Sequence, residues 1–322
     1  MPSIVVVGSY NQDFVWRVAK LPAPGETQLG IFTTGPGGKG FNQAVAAHRM
    51  QEGVVFIGAR GDDTPGAEAV RTAQRFGVEA LWQICAAAAT GTAAVLVDKR
   101  AQNLIAVAPG ANAQLAPEFI AQHAALIEAA RVLLVQCEVQ PSATARALAL
   151  ARSAGACTVF NPAPVHLELI SELLDLADIL TPNESEFSAL LLATRGTSVM
   201  VDSLAKLDDA SLHTLCRKLH HGTVVLTLGA SGAFVSHAED GLRGDALVCY
   251  RVAAELANPI DTTGAGDAFN GGLVAALSAS AADTPFVCSV RHAGRVAALS
   301  VEKPGAANAM PSREQLIDRF GI

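Results

Sequence analysis

The stretch DTTGAGDAFNGGLVAAL, residues 261–277, joins a glycine-rich turn directly to an apolar run that has the composition of a helix. The first amides of a helix have no acceptors within it, and the helix dipole adds partial positive charge at that end. Gly264 and Gly266 lack side chains, so an anion can approach the backbone closely. The amides of Gly264, Ala265 and Gly266 are therefore predicted to bind an anion.

Asp267 lies at this predicted anion site, where its carboxylate would repel a bound phosphate. Its presence is explained if it takes a proton from a hydroxyl group that attacks the phosphate. The alternative is an ordinary helix cap, in which the carboxylate accepts hydrogen bonds from backbone amides. Asp261, six residues earlier, and the two threonines that follow it favour the catalytic interpretation.

A second glycine-rich segment, GPGGKGFN, covers residues 35–42. It fits the G-x-G-x-x-G pattern, but its proline and lysine are unusual in a pyrophosphate-binding turn, and it does not follow the first strand. It is not a P-loop, because Gly40 follows the lysine where Ser or Thr is required. We therefore expect Gly38, Lys39 and Asn42 to bind a polyol. A dinucleotide site and a purely structural turn are the alternatives.

Short runs of β-branched residues alternate along the chain with longer runs that are rich in Ala and Leu. This pattern predicts an α/β fold with a mostly parallel sheet that is covered on both faces. Ligands in such a fold bind beyond the carboxyl ends of the strands. The predicted strands are 4–7, 54–57, 132–136, 158–160, 179–180 and 224–228, and the predicted helices are 42–50, 66–76, 142–153, 184–192 and 204–220.

Two segments, 14–34 and 91–108, interrupt this alternation and read as hairpins without helices. We expect them to form one small β-sheet, a lid over the ligand edge of the main sheet. Two unrelated surface hairpins are the alternative. The rest of the chain, residues 1–13, 35–90 and 109–322, is then the α/β core. Residues 194–203 are expected to be an irregular loop.

Polar residues follow two of the predicted strands at the edge where ligands are expected. Asn11 and Asp13 come after the first strand, and Glu138 comes after the strand 132–136. A carboxylate paired with an amide suits neighbouring sugar hydroxyls. Alone, however, Asn and Asp after a strand more often make a turn, and a loop glutamate is more often solvated.

Two further turns could serve a nucleotide. In TPNESE, residues 181–186, Asn183 and Glu186 could hold Mg2+ through water, although the segment is also a good helix start. The turn TLGASG, residues 227–232, offers glycine backbone against which a nucleotide could lie. A simple connection between two strands explains it equally well.

Composition excludes several classes of protein. The net charge of the 322 residues is −7, which argues against a nucleic-acid surface. The six cysteines form no CxxC pair, so a zinc or redox motif is not indicated. The N-terminal run reads as a first strand and not as a signal peptide, and no apolar run approaches the length of a membrane span. We therefore expect a cytoplasmic, soluble protein.

Several motifs in this sequence resemble those of the ribokinase-like (PfkB) carbohydrate kinases. The two most specific are GPGGKGFNQAVAA and DTTGAGDAFNGG. Four shorter motifs occur in the expected order between residues 8 and 232: GSYNQD, NPAP, TPNESE and TLGASG. The resemblance runs from about residue 4 to residue 311. It implies a three-layer α/β sandwich with a small β-sheet lid, which is often a dimer interface. It also implies phosphoryl transfer from MgATP to the primary hydroxyl of a pentose, with ribose as the first expectation.

The resemblance also implies a role for each matching residue. Asp267 would be the base, and the amides of residues 264–267 would stabilise the moving phosphoryl group. The sugar would be bound by Asn11, Asp13, Gly38, Lys39, Asn42 and Glu138. ATP would lie along Asn183, Thr227, Gly229, Ser231, Gly232 and Gly266. Glu186 would organise Mg2+, and a monovalent cation, K+, would be held by Asp261, Thr263, Ser300, Lys303 and Gly305.

Three positions depart from the family pattern. Ala309 stands where a cation-binding serine is common, which weakens the expectation of activation by K+. Tyr10 and Phe41 are bulky for their positions and could reshape the sugar pocket or stack on a base. A nucleoside kinase or 2-deoxyribose kinase is therefore an alternative, and so is a sugar sensor without catalytic activity.

Overall fold

A computed structural model describes residues 2–100, 102–166, 170–281 and 283–321. Its main sheet has nine strands, in the order β13-β12-β11-β10-β9-β8-β1-β4-β5. The strands pair in parallel except at the β11–β12 and β12–β13 ladders, which are antiparallel. The strands of this sheet are β1 Ile4–Val7, β4 Val54–Gly61, β5 Glu79–Cys85, β8 Val132–Val135, β9 Cys157–Phe160, β10 Ile179–Leu180, β11 Thr223–Thr227, β12 Ala233–Ser236 and β13 Cys249–Val252.

Helices cover both faces of the main sheet. Along β1, Val5 and Val7 belong to one buried cluster and Ile4 and Val6 to the other, because successive strand residues point to opposite faces. The first cluster includes residues of α3 to α9, and the second includes residues of α1, α2 and α10 to α12. These helices are α1 Lys39–Met50, α2 Thr64–Phe76, α3 Pro117–Gln122, α4 Ala124–Ala129, α5 Pro141–Ser153, α6 Ile170–Leu176, α7 Glu184–Arg195, α8 Val201–Leu204, α9 Asp209–Leu219, α10 Ala265–Ala279, α11 Phe286–Ser300 and α12 Arg313–Phe320. The predicted three-layer α/β architecture is confirmed.

A second sheet of four strands has the order β3-β2-β6-β7. The two hairpins, β2–β3 and β6–β7, are antiparallel, and the central β2–β6 ladder that joins them is parallel. The two segments expected to form a small sheet do pair with each other, apart from residue 101, which lies outside the described residues. The strands β2 Asn11–Val18 and β3 Gly30–Gly37 extend past the predicted segment 14–34, whereas β6 Thr92–Val97 and β7 Asn103–Ala108 lie within the predicted segment 91–108.

The predicted helix 204–220 is wrong at its start. The chain forms a short helix, α8, that ends at Leu204, and α9 begins anew at Asp209. Asp208 caps α9, because its side chain accepts a hydrogen bond from the Ser211 amide at 2.9 Å. The expected loop at 194–203 is correspondingly shorter, since α7 runs to Arg195 and α8 starts at Val201.

All six cysteines are free thiols; three of them are buried and Cys288 is exposed. Within the described ranges, none of the helices is both long enough and apolar enough to span a membrane.

Helices α1 and α10 pack so closely that glycine is required at their crossing. A Cβ atom at Gly271 would lie 2.4 Å from the Cβ of Ala46 and 2.7 Å from the Gln43 carbonyl oxygen. Such distances are shorter than any van der Waals contact, so a side chain there would push the helices apart. Gly294, in α11, has no atom within 4 Å of the same position.

These two helical glycines give a matched pair for measuring the packing. Gly271→Ala should lower the free energy of unfolding by about 1–3 kcal/mol, because the methyl group overpacks the crossing. Gly294→Ala should raise it by about 0.5–1 kcal/mol, because alanine favours the helix without meeting a neighbour. Urea denaturation measures both changes. Equal stability of the two variants would contradict the packing described here.

Candidate active site

The segment 35–42 packs against the turn between β1 and β2 through backbone contacts. A Cβ atom at Gly40 would lie 2.6 Å from the Cα of Gly8, and one at Gly38 would lie 2.8 Å from the Ser9 carbonyl oxygen. Gly38 also has φ 87°, a left-handed conformation that favours glycine. The glycines thus allow α1 to start directly beside the first strand of the small sheet. The dinucleotide interpretation loses its basis, since this loop does not follow a strand of the main sheet.

Asp267 lies in the first turn of α10 and is 6% exposed. Its Oδ2 accepts a hydrogen bond from Asn42 Nδ2 at 2.9 Å, and its Oδ1 accepts one from Gln43 Nε2 at 2.9 Å. Gly264 occupies the cap position instead, without any side-chain hydrogen bond. The helix-cap alternative for Asp267 is therefore wrong, because both carboxylate oxygens are bound by side-chain amides of α1.

Three carboxylates lie near the ammonium group of Lys39. Burial lowers the pKa of Lys39, but the charges of Asp267, Glu138 and Glu186 outweigh it and the net shift is upward. Burial raises the pKa of Asp267, while Lys39 and the two amides of α1 oppose that rise. The lysine therefore stays charged and compensates part of the negative charge that the site concentrates.

Burial and the same group of charges raise the pKa of Asp13. Burial, and then the neighbouring carboxylates of Glu138 and Asp267, raise its pKa to about 7. The carboxylate lies so close to the adjacent strand that a Cβ atom at Gly37 would be 2.2 Å from its Oδ2. Near neutral pH this group can therefore exist with or without its proton, and hydroxyl donors from a ligand would favour the ionised form.

Glu138 and Asn11 are held in place by residues that the sequence analysis did not single out. Glu138 Oε2 accepts hydrogen bonds from Ser9 Oγ at 2.6 Å and from the Lys39 amide at 2.9 Å. Asn11 Oδ1 accepts one from Asn112 Nδ2 at 2.9 Å. Ser9 follows directly on a strand end, which could have signalled it, whereas Asn112 is about a hundred residues from its partner and carried no local signal.

The structure brings the predicted polyol ligands together at the carboxyl edge of the main sheet. Asn11 and Asp13 lie on β2 opposite Gly37 and Gly35, and Lys39 and Asn42 lie in the first turn of α1. Asn42 Oδ1 is buried and has no hydrogen-bond partner among the described residues. A buried acceptor of this kind needs a donor, and a ligand hydroxyl would supply it.

Tyr10 and Phe41 are placed differently from the expectation that they contact a ligand. Both are fully buried, and their rings meet edge to face with centroids 5.3 Å apart. Trp82 and Phe56 extend the same aromatic cluster beneath the site. Neither ring is exposed, so neither can stack on a base. The size of Tyr10 and Phe41 therefore no longer supports a nucleoside as the acceptor.

The glycine-rich turn at the start of α10 leaves backbone amides for a ligand. The Ala265 amide donates to the Thr262 carbonyl oxygen at 3.2 Å, so this predicted anion donor is engaged within the turn. The Gly264, Gly266 and Asp267 amides donate to no acceptor in the described parts of the chain. Gly266 is exposed and has no atom within 4 Å of a Cβ position, so an anion can reach its amide.

The predicted nucleotide residues lie at the ends of neighbouring strands. Asn183, after β10, and Thr227, the last residue of β11, form a single parallel bridge. Gly229 and Ser231 begin and end a 3-10 turn, and Gly232, with φ 88°, leads into β12. A Cβ atom at Gly232 would lie 2.0 Å from the Val252 carbonyl oxygen. The TLGASG segment thus connects β11 to β12, and its glycines place backbone groups at the carboxyl end of β11.

Asn183 and Glu186 form a capping box at the start of α7. Glu186 Oε2 accepts a hydrogen bond from the Asn183 amide at 2.8 Å, and Asn183 Oδ1 accepts one from the Glu186 amide at 2.9 Å. The helix-start interpretation is confirmed. In the ranges that the structure describes, no three acidic, His or Cys side chains are grouped to hold a metal. A single carboxylate fits Mg2+ only through water and phosphate oxygens.

Asp261 connects the turn before α10 to the loop after α11. Its Oδ1 accepts from the Thr263 amide at 2.9 Å and its Oδ2 from the Gly305 amide at 2.9 Å. Burial raises its pKa, but these hydrogen bonds outweigh that effect and the net shift is downward. The Asp261 amide donates to Val301, which lies between Ser300 and Lys303 in the chain. Both oxygens of the Asp261 carboxylate thus accept hydrogen bonds from backbone amides, and a monovalent cation bound here would share them.

The charge on Asp13 predicts a stability that depends on pH. Its pKa is higher in the folded state than the ordinary 3.8, so folding loses stability as pH rises from about 4 to about 7. Asp13→Asn should therefore stabilise the free protein by about 1–3 kcal/mol at pH 8, and by little near pH 4. Urea denaturation at several pH values measures the difference.

The matched control is Asp240→Asn, in an exposed loop, which should change stability little at any pH. A gain for Asp13→Asn that is the same at pH 4.5 and pH 8 would contradict the charge cluster. A loss of stability at pH 8 would contradict it as well.

Comparison with known proteins agrees with this geometry over the whole chain. The model of the pfkB family of carbohydrate kinases matches residues 1–313. A ribokinase from Haemophilus influenzae is 35% identical over 318 residues, which cover 98% of this chain and 97% of that protein.

Two solved structures show the same fold. Ribokinase from Giardia lamblia gives a TM-score of 0.87 at 29% identity, covering 99% of this chain and 98% of that one. A ribokinase from Arabidopsis thaliana, in complex with ribose and ATP, gives a TM-score of 0.81 at 26% identity and covers 98% of both chains. With the family match spanning nearly every residue, the chain belongs to the pfkB family of carbohydrate kinases.

Proposed function

We propose that this protein transfers the γ-phosphate of ATP to the primary O5 hydroxyl of D-ribose. The observation that carries the proposal is the Asp267 carboxylate, buried at a helix start whose free amides suit a phosphate. The similarity to ribokinases, one of them solved with ribose and ATP, supports this choice of acceptor and donor. The aromatic rings that suggested a nucleoside acceptor are buried, which favours a bare sugar.

In this mechanism the polar groups around Asn42 orient the sugar. Asn11, Asp13 and Glu138 accept hydrogen bonds from its hydroxyls, and Lys39 donates one while balancing their charge. Asp267 takes the proton from O5 as the bond from O5 to the γ-phosphorus forms. The bond from that phosphorus to the bridging oxygen breaks, and ADP leaves. The Gly264, Gly266 and Asp267 amides stabilise charge on the transferred group.

The nucleotide would lie along residues at the ends of β10 and β11. We assign Asn183, Thr227, Gly229, Ser231 and Gly232 to this surface, because they bring backbone and small side chains to one edge. Bound Mg2+ neutralises charge on the phosphate oxygens, and Glu186 would hold its water ligands.

Replacing the base tests the reaction directly. Asp267→Asn keeps the shape of the side chain but removes the proton acceptor, so kcat should fall at least ~100-fold. ADP release with MgATP and K+ is measured against D-ribose, 2-deoxy-D-ribose, fructose, adenosine and inosine. Turnover should be strong with D-ribose and absent with 5-deoxy-D-ribose, which lacks the O5 hydroxyl.

Each alternative gives its own result. Preference for 2-deoxy-D-ribose or a nucleoside would keep the mechanism and replace the acceptor. Sugar binding by calorimetry without ADP release would indicate a sensor. Near-normal turnover by Asp267→Asn would refute the assignment of the base.

We propose that K+ binds at Asp261, with carbonyl oxygens of Thr263, Ser300, Lys303 and Gly305. The link that Asp261 makes to the turn before α10 supports this, since a cation there would order the amides that bind phosphate. Wild-type turnover should be faster in K+ than in choline, and Asp261→Ala should remove that difference. Equal wild-type rates in the two cations would contradict the site.

We further propose a homodimer formed through the small sheet, which also acts as the lid. Large apolar side chains are exposed on it, among them Ile31 at 70% and Ile105 at 57%. Monomeric proteins rarely expose so many apolar groups on one small element. The double variant Ile31→Glu/Ile105→Glu should sediment as a monomer, whereas Leu192→Glu, exposed elsewhere, should not change the mass. A wild-type monomer would contradict the proposal.

A further inference from the structure

Behind Asp267 lies a group of buried side-chain amides that the proposed mechanism does not use. Gln43 is fully buried on α1, next to Asn42. Its Nε2 donates to Asp267 Oδ1 at 2.9 Å and to Asn161 Oδ1 at 3.1 Å. Its Oε1 accepts from Gln136 Nε2 at 2.6 Å. The base is thus tied to the carboxyl ends of β8 and β9 through one glutamine.

The hydrogen bonds fix which end of the Gln43 amide faces the base. Asn161 Nδ2 donates to the Thr181 carbonyl oxygen at 2.9 Å, and a carbonyl oxygen can only accept. The Asn161 oxygen must therefore face Gln43, which must present its NH2 group. A reversed Gln43 would set its oxygen against both the Asn161 oxygen and the Asp267 carboxylate. In this orientation the Gln43 oxygen accepts a hydrogen bond from Gln136 Nε2 at 2.6 Å.

Gln43 and Asn42 hold the two oxygens of Asp267 but differ in access to a ligand. Asn42 has a free acceptor, Oδ1, so it can bind a hydroxyl group while it holds the base. Both Gln43 amide atoms are already occupied and the residue has no exposed surface. An effect of Gln43 on the reaction must therefore pass through Asp267.

We propose that Gln43 is a positioning residue for the base: oriented by Gln136 and Asn161, it aims the Asp267 carboxylate and keeps it ionised. The inference rests on the proposed function, because it needs Asp267 to act as the base. Neither residue that orients Gln43 is a predicted ligand of the sugar or of ATP.

The charged groups around Asp267 explain why an extra donor matters. Lys39 on α1 is the positive charge that faces it, while Glu138 after β8, Asp13 on β2 and Glu186 on α7 are negative. Burial already raises the pKa of Asp267, and the Gln43 hydrogen bond lowers it. Loss of that hydrogen bond should leave the base protonated at a higher pH.

Gln43→Met is the primary test, because methionine keeps the length of the side chain and removes both hydrogen-bonding atoms. We expect kcat to fall about 10- to 100-fold while KM for the sugar stays nearly constant. The acid limb of the kcat–pH profile should move up by about one to two pH units. Asn42→Leu should instead raise KM as well, since Asn42 contacts the sugar in the proposed mechanism.

Two further variants control for folding. Gln136→Met removes the donor to Gln43 Oε1 and leaves Asn161 to hold the amide, so the same shift of the acid limb should appear at smaller size. Gln83→Met removes a glutamine that lies away from Asp267 and binds the backbone of Gln114 and Ala116 and the thiol of Cys85. It should leave both rate and profile unchanged. If Gln43→Met does not fold, the shift in Gln136→Met decides.

The outcomes separate this inference from the proposed function. An inactive Asp267→Asn together with a wild-type profile in Gln43→Met and Gln136→Met would overturn the positioning role alone. A rate loss that is uniform across pH would also overturn it, because a purely structural defect has that signature. An active Asp267→Asn would remove the base itself, and the proposed function would then fail first.

Discussion

The burial of one carboxylate is the constraint that organises the site. Asp267 lies at a helix start among three other acids, and a carboxylate in such a place is stable as an anion only with donors around it. Those donors come from a single neighbouring segment: Lys39, Asn42 and Gln43 all lie in the first five residues of α1. The close crossing of α1 and α10, with glycine at the contact, brings that turn to the carboxylate.

Charge balance explains the other contacts at the same edge. Lys39 compensates for several acids, yet Asp13 still has its pKa raised to about 7. The crowded carboxylates therefore lower the free energy of unfolding, and hydrogen bonds from ligand hydroxyls would offset this cost. The site is destabilising for the fold and favourable for binding, which is common where polar groups are arranged for catalysis.

The parallel core could be predicted because its strands are short, apolar runs separated by helical periods, as in the runs at 4–7 and 132–136. The break between α8 and α9 was missed, because the apolar residues from Leu204 onward keep the spacing of a single helix. Only the helix cap at Asp208 marks the start of a new one. The strands β5, β12 and β13 were missed as well. β5 and β13 carry polar or half-exposed residues, and β12 has the sequence AFVS, in which only Val235 is β-branched.

Within the site, residues in glycine-rich motifs were predictable, since their spacing is local. Gln43, Asn112, Gln136 and Asn161 were not, because their roles depend on partners far away in sequence. Tyr10 and Phe41 show the opposite error. Their size suggested contact with a ligand, but an aromatic residue beside a site can equally fill the core below it, and burial decides between the two.

The distance along the chain between the base and its donors has a consequence for synthesis. Gln43 and Asp267 are 224 residues apart, and α10 is followed only by α11 and α12 among the helices in the described part of the chain. On the ribosome, the residues proposed to bind the sugar emerge long before the carboxylate proposed to act on it. A nascent or truncated chain that ends before α10 lacks the proposed base, so on this proposal it cannot transfer a phosphoryl group before synthesis reaches α10.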